Sequence, residues 1–146
     1  MAKPKAIVSA CLLGEYCRYD GKTKKDNHVV ESLKDYEIIP FCPEAPLFGT
    51  PRQRINVVRT DGQNRIITDE TNIDVTTLLE DEIESFIKDN PQAKKIILKS
   101  KSPSCGIGST LILDEQKNTI TKGNGIAADI FLKKYPSTLI VDENSI

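Results

Sequence analysis

The run Ala6-Ile7-Val8-Ser9-Ala10-Cys11-Leu12-Leu13 decides the fold. It is short, apolar and uncharged, the pattern of a strand buried on both faces, as in a parallel sheet. Gly14-Glu15-Tyr16-Cys17-Arg18-Tyr19-Asp20-Gly21 follows it as a polar loop. Two runs of the same kind lie downstream. Residues 37–43 read Glu-Ile-Ile-Pro-Phe-Cys-Pro and are stopped by proline; residues 95–99 lead into Ser100-Lys101-Ser102-Pro103-Ser104-Cys105-Gly106. Between the first two, Asp26 is placed to cap a helix carrying Val29, Val30 and Leu33 on one side.

Outward from these runs, Val75, Leu78, Leu79, Ile83, Phe86 and Ile87 recur at three- and four-residue spacing. That spacing predicts a helix over 73–88 with all six on one face, closed by a left-handed Asn90 before Pro91. Glu80, Asp81, Glu82 and Glu84 read as its solvated face and not as a metal site. Residues 125–135 suit a helix and 139–141 a last strand. Two hairpins are expected, 54–59 with 64–68 across Asp61-Gly62, and 110–113 with 119–121. The alternation of strands and helices predicts an α/β fold, a single-domain α/β/α sandwich over residues 1–146 with a mostly parallel sheet. In such sheets ligands bind beyond the carboxyl ends of the strands. Cys11, Cys42 and Cys105 all fall there.

Composition narrows the function. Twenty Lys and Arg against 21 Asp and Glu give a net charge of −1, so no global field draws the chain to DNA or membrane. Four Tyr, four Phe and no Trp leave little material for stacking nucleic-acid bases. No apolar run approaches the roughly 20 residues that span a bilayer. Val8-Ser9-Ala10-Cys11 imitates a lipoprotein cleavage site, but only Ala6, Ile7 and Val8 precede it as an unbroken apolar run. An export signal needs roughly 7–15 such residues. The expected location is therefore the reducing cytoplasm, where four cysteines point to metal or thiol chemistry before disulfides.

The cysteine gaps are five, 24 and 62 residues, with no C-x-x-C, which fits neither a structural zinc site nor a thioredoxin-type dithiol. The only histidine, His28, sits at a helix start and reads as a surface or capping residue. Three thiolates from separate loops can instead hold an iron–sulfur cluster and leave one iron open for a substrate atom. Glu44, two residues past Cys42, is a carboxylate placed to move a proton. Ser100, Ser102, Ser104 and Ser109 surround Cys105. Arg18, Lys22, Lys24, Lys25, Arg52 and Arg54 flank the first two cysteines, as an anion-attracting rim or as scattered surface charge.

Taken together, Ser9-Ala10-Cys11-Leu12-Leu13-Gly14, Cys17-Arg18-Tyr19-Asp20-Gly21, Cys42-Pro43-Glu44, Thr50-Pro51-Arg52 and Ser102-Pro103-Ser104-Cys105-Gly106 resemble a bacterial family whose characterised members are thiouracil desulfidases. The resemblance implies a 4Fe-4S cluster on Cys11, Cys42 and Cys105, lost from protein purified in air. It implies Glu44 as catalytic acid/base and Ser102 as catalytic serine, with Cys17 a spare thiol. The implied reaction is a non-redox desulfuration of a thiolated pyrimidine such as thiouracil, giving uracil and sulfide. The cluster serves as Lewis acid, Glu44 activates water, and Ser102 positions it or relays the proton. The implied partner is a small thiolated nucleobase, with thiolated RNA the substrate of some relatives. One departure stands out: where the family commonly has a Gly-Gly-Leu-Pro stretch, this chain has Ala45-Pro46-Leu47-Phe48-Gly49, so a substrate choice different from that of the characterised enzymes is expected if that loop lines the pocket. Two other classes remain open: a non-catalytic zinc or iron–sulfur binding module, and a metal-free protein that binds RNA or anions through the basic loops.

Overall fold

The first apolar run divides in two. In the computed structural model, which describes residues 3–146, β1 takes Lys5–Ser9 and the chain then tightens into a 3-10 turn over Ala10–Leu13. Gly14, at φ 100°, closes that turn in a conformation that L side chains rarely adopt. The strand expected through Leu13 therefore ends four residues early, and Cys11 sits in the turn beyond it.

The helix α1 (Asn27–Ser32) opens at Asp26, whose carboxylate accepts the amides of His28 and Val29 at 3.0 and 3.1 Å. After β2 (Glu37–Phe41) come a one-turn helix α2 (Ala45–Phe48) and a hairpin of β3 (Ile55–Thr60) and β4 (Gln63–Thr68). Asp61 and Gly62 turn that hairpin, both with positive φ. Then follow α3 (Thr76–Asp89), β5 (Lys95–Leu98), the hairpin β6 (Thr110–Leu113) with β7 (Thr119–Gly123), α4 (Ile126–Lys134) and β8 (Leu139–Asp142).

The strands form two four-stranded sheets. One is wholly parallel, in the order β2-β1-β5-β8. Pro40, which has no amide to donate, lies in an edge strand, where the ladder tolerates it. Alternate residues face opposite ways. Ile7, Ile96 and Leu98 join Leu79, Ile83 and Phe131 in one core, and Ala6, Val8 and Ile97 join Leu12, Val29 and Leu33 in another. Helices thus cover both faces of this sheet, as an α/β/α sandwich requires. The second sheet, in the order β4-β3-β6-β7, joins the two hairpins through the parallel pair β3–β6 and adds Ile55, Val57, Ile66 and Ile112 to the first core. The hairpins are visible in sequence; their union is not.

Two details of α3 depart from its periodicity. Residues 73–75 are held against β4, by an Ile67–Asp74 bridge and the Ile66 amide on Thr76 Oγ1, so the helix starts at Thr76. Leu78 points outward, 53% exposed, while Leu79 is at 0%. Asn90 closes the helix with its side chain, which donates to the Phe86 carbonyl at 2.9 Å, and its φ of −133° is not left-handed. No helix among the described residues is long and apolar enough to cross a membrane. Leu79→Ala should lower the free energy of urea unfolding by about 2–5 kcal/mol through the cavity it leaves. Leu78→Ala, one position away, should change it by less than about 0.5 kcal/mol.

Candidate functional site

In the parallel sheet the chain steps from β1 to β2 in one direction, and β5 and β8 continue in the other. The reversal lies between β1 and β5, and the crevice beyond such a point is where open α/β sheets bind ligands. Here it opens into a cavity of ≈ 760 Å³. Cys11, Cys42, Cys105, Glu44 and Ser102, taken from sequence alone, all line it, as does Cys17.

Each cysteine is set by its own loop. The Cys11 carbonyl accepts the Thr23 hydroxyl at 2.9 Å and the amides of Lys24 and Gly14 at 3.1 and 3.3 Å, which ties the 3-10 turn to the chain that returns past it. Cys42 follows β2 directly, and the amides of Ala45 and Glu44 are directed at its sulfur. Cys105 is the deepest, 5% exposed. Its loop is clamped by α4, whose first amides would otherwise lack partners: the Ala127 amide donates to the Ser104 carbonyl and the Gly125 amide to the Gly106 carbonyl, both at 2.8 Å. At Gly125 a side chain would run into the backbone of Ser104. At the other end of the loop, Ser100 donates its amide and hydroxyl to Glu143 at 2.7 and 2.9 Å, and Ser9 Oγ accepts the Lys99 amide at 2.9 Å.

The thiols are electrostatically unequal. Burial, with the Glu44 and Cys42 charges nearby, pushes Cys105 up to about 12, while a Ser9 hydrogen bond works against it. Cys11 is held below the ordinary thiol value by a hydrogen bond from Cys17 and by Lys99, against the effect of burial. Cys17 is pushed up to about 11, chiefly because its thiol donates to Cys11. Cys42 is raised by its hydrogen bond to Cys17 and by burial. The Cys42 sulfur lies 3.9 Å from the Cys17 carbonyl, so the loops that carry them are in contact.

Glu44 is buried, 8% exposed. One carboxylate oxygen accepts the Ser104 hydroxyl at 2.6 Å and the other faces Arg52 Nε at 3.4 Å, across an Arg52 side chain that is itself 5% exposed. Arg52 is anchored by donating to the Gly49 carbonyl at 2.9 Å and to Thr50 Oγ1 at 3.1 Å. Ser102 Oγ accepts the Cys105 and Ser104 amides at 3.1 and 3.3 Å and lies 3.4 Å from Ser104 Oγ. Ser104, one of four serines near Cys105 in sequence, is thus the link between Ser102 and Glu44. Only the contact distances single it out.

Of the basic residues, Arg18, Lys24, Lys25, Arg52 and Arg54 line the cavity with Lys99 and Lys101. Arg54 lies over the Tyr19 ring at 4.6 Å and donates to its hydroxyl. Lys22 and the exposed His28 are not in the cavity wall. Nor are residues 45–49, whose Leu47 and Phe48 pack on the core, so the stretch that departs from the family's pattern does not line the cavity. Among the described residues no three His, Cys, Asp or Glu side chains stand close enough to hold a single metal ion. A zinc ion with sulfur at about 2.3 Å draws its ligands tightly together. A four-iron cluster offers a separate corner to each thiolate, and three thiols spread around one cavity suit it.

A profile of the 2-thiouracil desulfurase family matches residues 6–143. An uncharacterised protein of Bacillus subtilis strain 168, YbbK, is 30% identical over 152 aligned positions, 96% of each chain. The solved structure of a 4Fe-4S-dependent thiouracil desulfidase, TudS, matches 99% of this chain and 93% of its own, with a TM-score of 0.72 and 28% identity.

Two expectations test how the site is held. Gly125→Ala should lower the melting temperature and, in a crystal structure, show the Ser104–Cys105 backbone displaced. For Glu143, burial works to raise its pKa, but the Ser100 amide and Lys99 win and hold the carboxyl below its ordinary value. A depressed carboxyl adds stability that is present above its unfolded pKa of about 4.3 and lost as pH falls through the folded value. Acid titration of unfolding should therefore show a shallower loss of stability below about pH 4.5 in Glu143→Gln than in the parent protein.

Proposed function

The chain belongs to the 2-thiouracil desulfurase family, and from that premise we propose that it hydrolytically removes sulfur from a small thiolated pyrimidine such as thiouracil, releasing uracil and sulfide. We assign the work to residues 1–146 acting as one domain in the cytoplasm, where thiols stay reduced. Cys11, Cys42 and Cys105 would hold a 4Fe-4S cluster. When bound, the cluster supplies an iron without a protein ligand, a Lewis acid for the thiocarbonyl sulfur that needs no electron transfer. The observation that carries this reading is the convergence of those thiols with Glu44, Ser104 and Ser102 on one cavity.

The protein's own residues then do the proton work. Ser102 accepts two backbone amides, which leaves its hydrogen to point at the Ser104 oxygen or into the cavity. Ser104 in turn donates to Glu44. A proton taken from the attacking water passes through Ser104 to the Glu44 carboxylate, while Ser102, whose oxygen is held by the two amides, orients the water with its hydrogen. From Glu44 that proton goes to the departing sulfur, and the hydroxyl left on the carbon gives up its own proton as the carbonyl forms, so that water and thiocarbonyl become carbonyl and hydrogen sulfide. Arg52 fixes the carboxylate and offsets its charge. A second substrate form, a thiolated nucleotide or RNA end, is favoured only by Lys24, Lys25 and Arg54 on the cavity wall, which a neutral base leaves unused. Comparing turnover of thiouracil and its nucleotide separates the two.

Glu44→Gln should take up iron and sulfide as the parent does, with unchanged cluster absorbance, while sulfide release falls by about 10²–10⁴-fold, the scale of a lost acid/base. Full turnover by that variant would remove Glu44 from the mechanism.

A further inference from the structure

One thiol in the cavity wall is used neither by the fold nor by the chemistry above. Cys17 is half-buried and lines the cavity. It shares that cavity with the three cysteines assigned to the cluster, and the Cys42 sulfur lies 3.9 Å from its carbonyl. A cysteine serving only as a small core residue would be enclosed by apolar side chains. This one opens on the cavity.

Its loop is built to present it. Gly14 and Gly21, at φ 100° and 76°, bound the segment. The Arg18 amide donates to the Lys22 carbonyl at 3.2 Å, the Gly21 amide to the Arg18 carbonyl at 2.9 Å, and the Arg52 amide to the Tyr19 carbonyl at 2.7 Å. Cys17 is thus carried on a tethered turn. Cys11, by contrast, sits in the 3-10 turn that closes β1, Cys42 follows β2 directly, and the Cys105 loop is clamped by α4. A thiol tethered this way competes for a metal position as if present at high concentration, yet remains exchangeable.

Resting on the cluster reading, we propose that Cys17 is a fourth, displaceable ligand: its sulfur occupies the iron that Cys11, Cys42 and Cys105 leave open when substrate is absent, and yields it to the substrate's sulfur. As the sulfur–iron bond forms, the Cys17 proton leaves to solvent. As the entering thiocarbonyl sulfur takes that bond, the freed thiolate regains a proton, and no electrons move. The enzyme then rests with its vulnerable iron covered.

The test compares the parent with Cys17→Ala and Cys17→Ser, each reconstituted without air and assayed for iron and sulfide. With substrate absent, all three receive limiting ferricyanide, and loss of the fourth iron is followed by the paramagnetic resonance signal of the three-iron product. Both variants should lose that iron several times faster than the parent, and their KM for thiouracil should fall because no internal ligand competes. Equal rates of iron loss at equal starting iron would overturn the role of Cys17 and leave the cluster reading intact. Failure of all three proteins to bind iron and sulfide would overturn both.

Discussion

A carboxylate nearly cut off from water must be met by donors, or its burial costs the fold more than the packing returns. Glu44 is met by the Ser104 hydroxyl and by Arg52, and these two contacts bind together parts of the chain that the sequence keeps far apart. Ser104 lies 60 positions away, in the loop after β5. Arg52 lies beyond the one-turn helix that follows Glu44. Around this point the end of β2, the end of β5 and the entry to β3 are held in one arrangement, and Cys42 and Cys105 come with them. Moving any of the three groups leaves a buried charge or a buried hydroxyl unanswered.

Much of this was legible in advance. Apolar runs with turn residues behind them marked the parallel strands, because burial on both faces leaves no room for alternation. Asp26 marked α1, and Asp61-Gly62 the first hairpin. What the residues hid was of two kinds. The pairing of β3 with β6 joins segments about 50 residues apart in the chain, and nothing local to either strand names its partner. The face of α3 was misread at Leu78, because the helix is entered from a bridge to β4 that fixes its rotation. Glu44, Cys11, Cys42 and Cys105 could be picked out by their neighbours in sequence. Ser104 and Arg52 stand in the same motifs, but their contacts with Glu44 do not show there, since those are distances across the fold.

The spacing of the cysteines has a physical reading. Thiols paired two residues apart hold a metal with a small piece of chain, and such a site can form ahead of the surrounding fold. Here the gaps are long, and the thiols meet only where β1, β2 and β5 lie in register. The proposed metal centre would therefore be a property of the assembled sheet, its geometry set by the strands that end at it.

The latch formed by Ser100, Glu143 and the final strand gives the cavity a remote point of weakness. β8 pairs with β5, and Glu143, just beyond β8, secures the segment that leads to Cys105. Damage at this clasp reaches the deepest thiol without touching it, so a lesion on the far edge of the sheet would pass for a defect of the cavity itself.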